Sequence, residues 1–119
     1  MARSTEERPA DGYGSNTGMC GDTVVMSLFV SGGRITRASF RVDGCATTLA
    51  CAAAAARFAE GKTVQEAWEI DPAYILDLVG PLPPESEHCA ELAVGALYLA
   101  LSDYRENRRS PWKKLYRKE

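Results

Sequence analysis

Apolar and polar residues change rhythm once along this chain, from a period near two to a period near four. Residues 1–18 come first, polar and rich in Gly, Ser and Thr without any period, and are read as a flexible N-terminal arm. Val24–Val30 then has the β-branched and aromatic content of a strand, and Ser31-Gly32-Gly33 is a hairpin signal. Arg34–Val42 reads as the returning strand, with Ile35, Ala38 and Phe40 among polar residues, and a third strand would come only from splitting this run. After Asp43-Gly44-Cys45 the pattern turns helical. Thr47 or Thr48 caps Leu49–Glu60, a helix dominated by alanine, and Gly61 stops it. Thr63 with Glu66 forms a capping-box pattern, and Asp71-Pro72 opens a helix through Ile75, Leu76 and Val79 that ends at Gly80-Pro81. Beyond Pro83-Pro84, apolar spacing at Leu92, Val94, Leu97, Tyr98 and Leu101 predicts a long helix from about Ser86 to about Glu106. Strands first and helices afterwards predict an α+β fold, a small antiparallel β-sheet of two to three strands with helices packed on one face. The organisation expected is an arm (1–18), one packed domain (19–106) and a tail (107–119).

Length and charge narrow this picture little. The 119 residues suffice for one domain with its own core, and a net charge of −2 points to neither nucleic acid nor a membrane surface. The alanine run is too short to span a bilayer and ends at Arg57. Basic residues concentrate at the end, where Arg105, Arg108, Arg109, Lys113, Lys114, Arg117 and Lys118 stand against Glu106 and Glu119. With Trp112 and Tyr116 among them they offer a face for an acidic partner, but a solvated basic tail explains them more simply. Four cysteines without a signal-peptide pattern point to reduced thiols in the cytoplasm, not a secreted disulfide framework.

Candidate chemistry lies in the thiols. His88 and Cys89 fall in the first turn of the long helix, where free N–H groups and the helix dipole favour negative charge; that placement predicts a lowered thiol pKa for Cys89. Cys20 and Cys45 also adjoin turns, beside Gly21-Asp22 and Gly44, where glycine leaves room for a bulky inorganic group. Cys51 is read as a core residue, because six residues past Cys45 it faces another side of the helix. Adjacent helical residues diverge by about 100°, so His88, the sole histidine, is poorly placed to activate Cys89 as a nucleophile. There is no Cys-x-x-Cys, which excludes the zinc-ribbon patterns. The expectation is that Cys20, Cys45 and Cys89 converge on one metal–sulfur site.

Four segments together carry a resemblance. Cys20-Gly21-Asp22 before a strand, Asp43-Gly44-Cys45-Ala46 before an alanine-rich helix, Gly61-Lys62-Thr63, and Leu82-Pro83-Pro84 followed by His88-Cys89-Ala90 resemble the IscU/NifU-type iron–sulfur cluster assembly scaffold. Asp103-Tyr104 is similar to that family's ending, and the likeness runs from about Gly18 to Tyr104. The short interval between Cys45 and Cys89 is closer to the IscU and NifU forms than to SufU with its insertion.

The resemblance implies an IscU-like fold and a non-enzymatic scaffold on which a transient [2Fe–2S] cluster is built from iron and sulfur. The implied partners are a cysteine desulfurase, an electron donor such as ferredoxin, and apo-protein clients, without nucleic acid or membrane. It makes Cys20, Cys45 and Cys89 the cluster thiols, Asp22 the aspartate linked to cluster lability, His88 a further ligand, and Cys89 the persulfide acceptor. Three soft thiolates with a poorer O or N donor suit a product that must be released. One motif departs: where the IscU branch has Leu-Pro-Pro-Val-Lys for chaperone recognition, Leu82-Pro83-Pro84 runs into Glu85-Ser86, which argues against a dedicated Hsp70-type chaperone. The competing reading is a structural zinc-binding interaction protein using the same Cys₃ site, since three cysteines with His or Asp also suit tetrahedral Zn²⁺.

Overall fold

The computed structural model describes residues 10–18, 21–80 and 87–109. Three strands, β1 (Gly12–Thr17), β2 (Thr23–Ser31) and β3 (Arg34–Asp43), precede four helices: α1 (Ala46–Ala59), α2 (Val64–Ala67), α3 (Pro72–Val79) and α4 (His88–Arg109). The sheet is antiparallel in the order β1-β2-β3. The α+β architecture is therefore as expected, with the sheet at three strands.

The third strand is not the one anticipated. It arises from residues 12–17, assigned on sequence to the arm, and not from a division of β3. Its composition looks unstructured for a tertiary reason: α4 lies directly on β1, and only small residues fit between them. A Cβ built on Gly14 would stand 2.5 Å from the Ala100 amide nitrogen and 2.6 Å from the Ala96 carbonyl oxygen. Asn16 adds a bond from its side-chain amide to the Leu92 carbonyl at 3.2 Å.

In β2, alternation is complete. Val24, Met26, Leu28 and Val30 face inward, while Val25, Ser27 and Phe29 face out. The inward face packs against α4 through Ala93, Ala96, Leu97, Ala100 and Leu101, and α1 contributes Cys51, Ala52, Ala55 and Ala59 to the same core. The β2–β3 hairpin turns on Gly32 and Gly33, both at positive φ (61° and 79°), as a two-residue turn of this hand requires. Thr36 is the extra residue of a register shift opposite Phe29 and Val30.

Helix ends follow their signals with two differences. Thr63 and Glu66 close the capping box, and Asp71 caps α3 through Ala73 N–H at 3.0 Å. Helix α1, however, starts at Ala46 with Cys45 as the N-cap residue in extended conformation. Thr48 is thus inside the helix, and its side chain is engaged elsewhere. Helix α4 runs to Arg109, past the expected end at Glu106. There buried Asn107 donates to the Asp11 carbonyl at 3.1 Å and ties α4 to the strand side. The start expected at about Ser86 falls outside the described residues, as do residues 1–9 of the N-terminal arm and most of the basic tail.

Helix α4 is antiparallel to β1. Ala100 faces Gly14, Leu92 faces Asn16 and Gly18, and the N-terminus of α4 therefore lies beside the end of β1. Strand β2 begins and β3 ends at that same edge, where Thr23 pairs with Asp43. Three chain segments distant in sequence meet there.

Candidate functional site

The three segments are the β1–β2 connection, the β3–α1 junction and the first turn of α4. In the first, Gly21 takes φ +89°, and the bond from Gly18 N–H to the Asp22 carbonyl at 2.8 Å closes the turn. Asp22 emerges with its carboxylate directed at the second segment, where Cys45 N–H donates to its Oδ2 at 3.5 Å. Gly44 permits that approach. A Cβ there would stand 2.5 Å from the Asp22 carboxyl carbon, so any larger residue displaces either the carboxylate or the junction.

At the centre of the cluster is Thr48. Fully buried in the first turn and a half of α1, its hydroxyl lies 2.6 Å from Asp22 Oδ2, 3.3 Å from Cys89 Sγ and 3.4 Å from Cys45 Sγ. Two thiols far apart along the chain thus share one oxygen atom as neighbour. Thr48 is three residues past Cys45, a spacing that puts both on one helix face. That spacing was available in the sequence, but a threonine near a helix start reads first as a cap, and its real partners come from other segments.

Surroundings separate the thiols. Cys45 is exposed, and the Thr48 hydroxyl holds its pKa below the ordinary thiol value. Cys89 is almost wholly covered, and burial pushes its thiol up despite the hydrogen bond with Thr48. This corrects the expectation of a lowered Cys89 pKa at the helix N-terminus. Loss of hydration outweighs the dipole, because the side chain is turned into the core and away from the solvent-facing end of α4. Asp22 is held below the usual carboxylate range, chiefly by the Thr48 hydrogen bond, with a smaller contribution from the charge of His88. Cys51 is fully buried, with its thiol pushed up to about 11 by burial, in keeping with the core reading.

The structure therefore brings together Asp22, Cys45 and Cys89, with His88 close enough to act on Asp22 electrostatically. Cys20 and the Leu82–Ser86 motif lie outside the described residues. Among the described residues, no three His, Cys, Asp or Glu side chains are already arranged as a closed metal cage. The donor set of two soft sulfurs and one hard carboxylate is nonetheless of the kind that binds iron or zinc incompletely and exchangeably. No helix among the described residues is long and apolar enough to cross a membrane.

Residues 3–111 match the family described as the NifU-like N terminal domain. Over 96 residues the chain is 36% identical to iron-sulfur cluster assembly scaffold protein IscU 1 of Archaeoglobus fulgidus, a stretch covering 80% of this chain and 63% of that protein. Over 90 residues it is 33% identical to the iron-sulfur cluster assembly scaffold protein IscU of Rickettsia prowazekii, covering 75% of this chain and 68% of the other. The chain thus spans somewhat less than two thirds of the archaeal relative. In fold it is similar to a candidate SUF-system cluster assembly scaffold from Fervidobacterium islandicum, with TM-score 0.64, 24% identity and coverage of 77% and 81% of the two chains. It is similar also to the N-terminal part of a NifU-like protein from Brucella abortus, with TM-score 0.63, 20% identity and coverage of 83% and 82%.

Proposed function

The chain belongs to the NifU-like N-terminal domain family, and from that premise we propose that it is a scaffold on which a [2Fe–2S] cluster is assembled and then passed to apo-proteins. One observation carries the reading: Cys45 and Cys89 meet at a single hydroxyl beside a carboxylate, at the rim of the fold. Such a mixed donor set suits cargo that must leave, because oxygen is a weaker ligand than thiolate for an iron–sulfur unit.

In this reading Cys20, Cys45 and Cys89 supply the thiolates, and Asp22 or His88 completes the coordination of each cluster as substrate. Sulfur arrives as the outer atom of a desulfurase persulfide. A thiolate of the scaffold attacks that atom, the S–S bond to the desulfurase breaks, and the desulfurase cysteine leaves as thiolate. Two electrons from a ferredoxin-type donor then reduce the transferred sulfur to sulfide. Cys89 is the acceptor by family likeness. Its burial means that it must be uncovered when the desulfurase docks, whereas Cys45 is open as it stands.

Anaerobic reconstitution tests the reading. With Fe²⁺, a desulfurase, cysteine and reductant, the protein is expected to gain visible absorbance, lose it on transfer to an apo-ferredoxin, and fail to gain it as Cys45→Ala. A protein that stays colourless throughout is no scaffold. The zinc-binding alternative uses the same residues and predicts a colourless protein whose fold depends on the metal.

A further inference from the structure

Thr48 is the one buried polar residue of the cluster that has no part in the ligand set above. Its neighbours in α1 make it conspicuous. The buried positions that follow are Cys51, Ala52, Ala54, Ala55, Ala56 and Ala59. In such a helix alanine at 48 would have better propensity and would bury no hydroxyl. Nor does the hydroxyl serve the helix, since its partners are Asp22 on another segment and two thiols.

Resting on the scaffold reading, we infer that Thr48 is a positioning residue of the cargo site, orienting the Asp22 carboxylate against the Cys45 and Cys89 sulfurs and acting on bound metal through Asp22. A hydroxyl has one proton and two lone-pair directions. The 2.6 Å approach to Asp22 Oδ2 is that of a charge-assisted bond and is the shortest of the three, so the carboxylate is the proton's principal partner. The same oxygen stands 3.3 Å from Cys89 Sγ and 3.4 Å from Cys45 Sγ, which sets both sulfurs relative to Asp22. Gly44 keeps the space for this arrangement open. A group that orients ligands without binding metal changes metal affinity when removed, commonly by 10- to 100-fold.

The test uses Zn²⁺ alone as probe, on the full reduced chain, by competition with a chromophoric chelator. Thr48→Val keeps the shape and deletes the hydroxyl, and is expected to weaken Zn²⁺ binding about tenfold. Thr48→Ser, which restores the hydroxyl, is expected to bind like the unaltered protein. Asp22→Ala is expected to weaken binding, and the double variant Thr48→Val with Asp22→Ala to bind no more weakly than Asp22→Ala alone. Circular dichroism and urea unfolding accompany each variant, and the serine comparison carries the test if the valine variant does not fold. The inference is overturned if Thr48→Val binds as the unaltered protein does, if Thr48→Ser loses affinity, if the two losses add, or if the unaltered protein binds no Zn²⁺. These readouts need no cluster. Failed reconstitution with an intact Zn²⁺ pattern would remove the scaffold reading alone; successful reconstitution with no Thr48 effect would remove this inference alone.

Discussion

Gly14 and Ala100 are in contact with no side chain between them, strand backbone against helix backbone. This contact sets the depth at which α4 lies on the sheet, and with it the place of Cys89. Gly14→Ala is expected to force β1 and α4 apart at a cost of about 1–3 kcal/mol, the usual range for overpacking. A lowered urea midpoint with an unchanged slope would show it. An unshifted midpoint would mean that the strand slides to make room.

Thiol reactivity should follow burial and not sequence motif. In the metal-free protein at about pH 7.5, iodoacetamide is expected to label Cys45 before Cys89 and to leave Cys51 unlabelled, because thiolate and access are both needed. Peptide mapping of the alkylated protein gives the order. Faster labelling of Cys89 than of Cys45 would mean that the first turn of α4 is open in solution.

Cys51 also predicts a loss of stability in alkali. Its folded pKa of about 11 lies above the ordinary value of 9.0, so the unfolded chain gives up this proton first. The contribution is complete below pH 9.0 and is lost as pH rises toward about 11. Denaturation midpoints measured across that window should fall, and fall less steeply for Cys51→Ala. Parallel curves for the two proteins would show that Cys51 titrates as it does when unfolded.

The fold should not need a metal. Its core runs continuously from β2 through α1 to α4, with Met26, Leu28, Ile35, Ile75, Leu97 and Leu101 fully buried. After treatment with a strong chelator, thermal unfolding is expected to remain cooperative with its midpoint nearly unchanged. Collapse of the transition would favour the structural-zinc alternative.

How much could be read from the chain depended on how local each cause was. The β2 alternation, the Gly32-Gly33 turn, the Thr63–Glu66 box and the Asp71 cap are short-range effects, and each appears where its residues predicted. Strand β1 was illegible because its glycines answer to a helix more than seventy residues later. At the site, the turns beside Cys45 and Asp22 were legible. The thiol environments were not: the pKa of Cys89 depends on what covers it, and Thr48 shows its role only when Asp22 arrives from another segment.

The grip on α4 is spread along its length. Gly14 meets it at Ala100, Tyr13 N–H reaches Asp103 at 2.9 Å, and Asn107 holds Asp11. Beside the turn that carries Cys89, Asn16 donates to the Leu92 carbonyl at 3.2 Å and the Thr48 hydroxyl lies 3.3 Å from the Cys89 sulfur. Uncovering Cys89 therefore takes the parting of these two contacts, while the anchors farther along the helix keep the rest of it on the sheet.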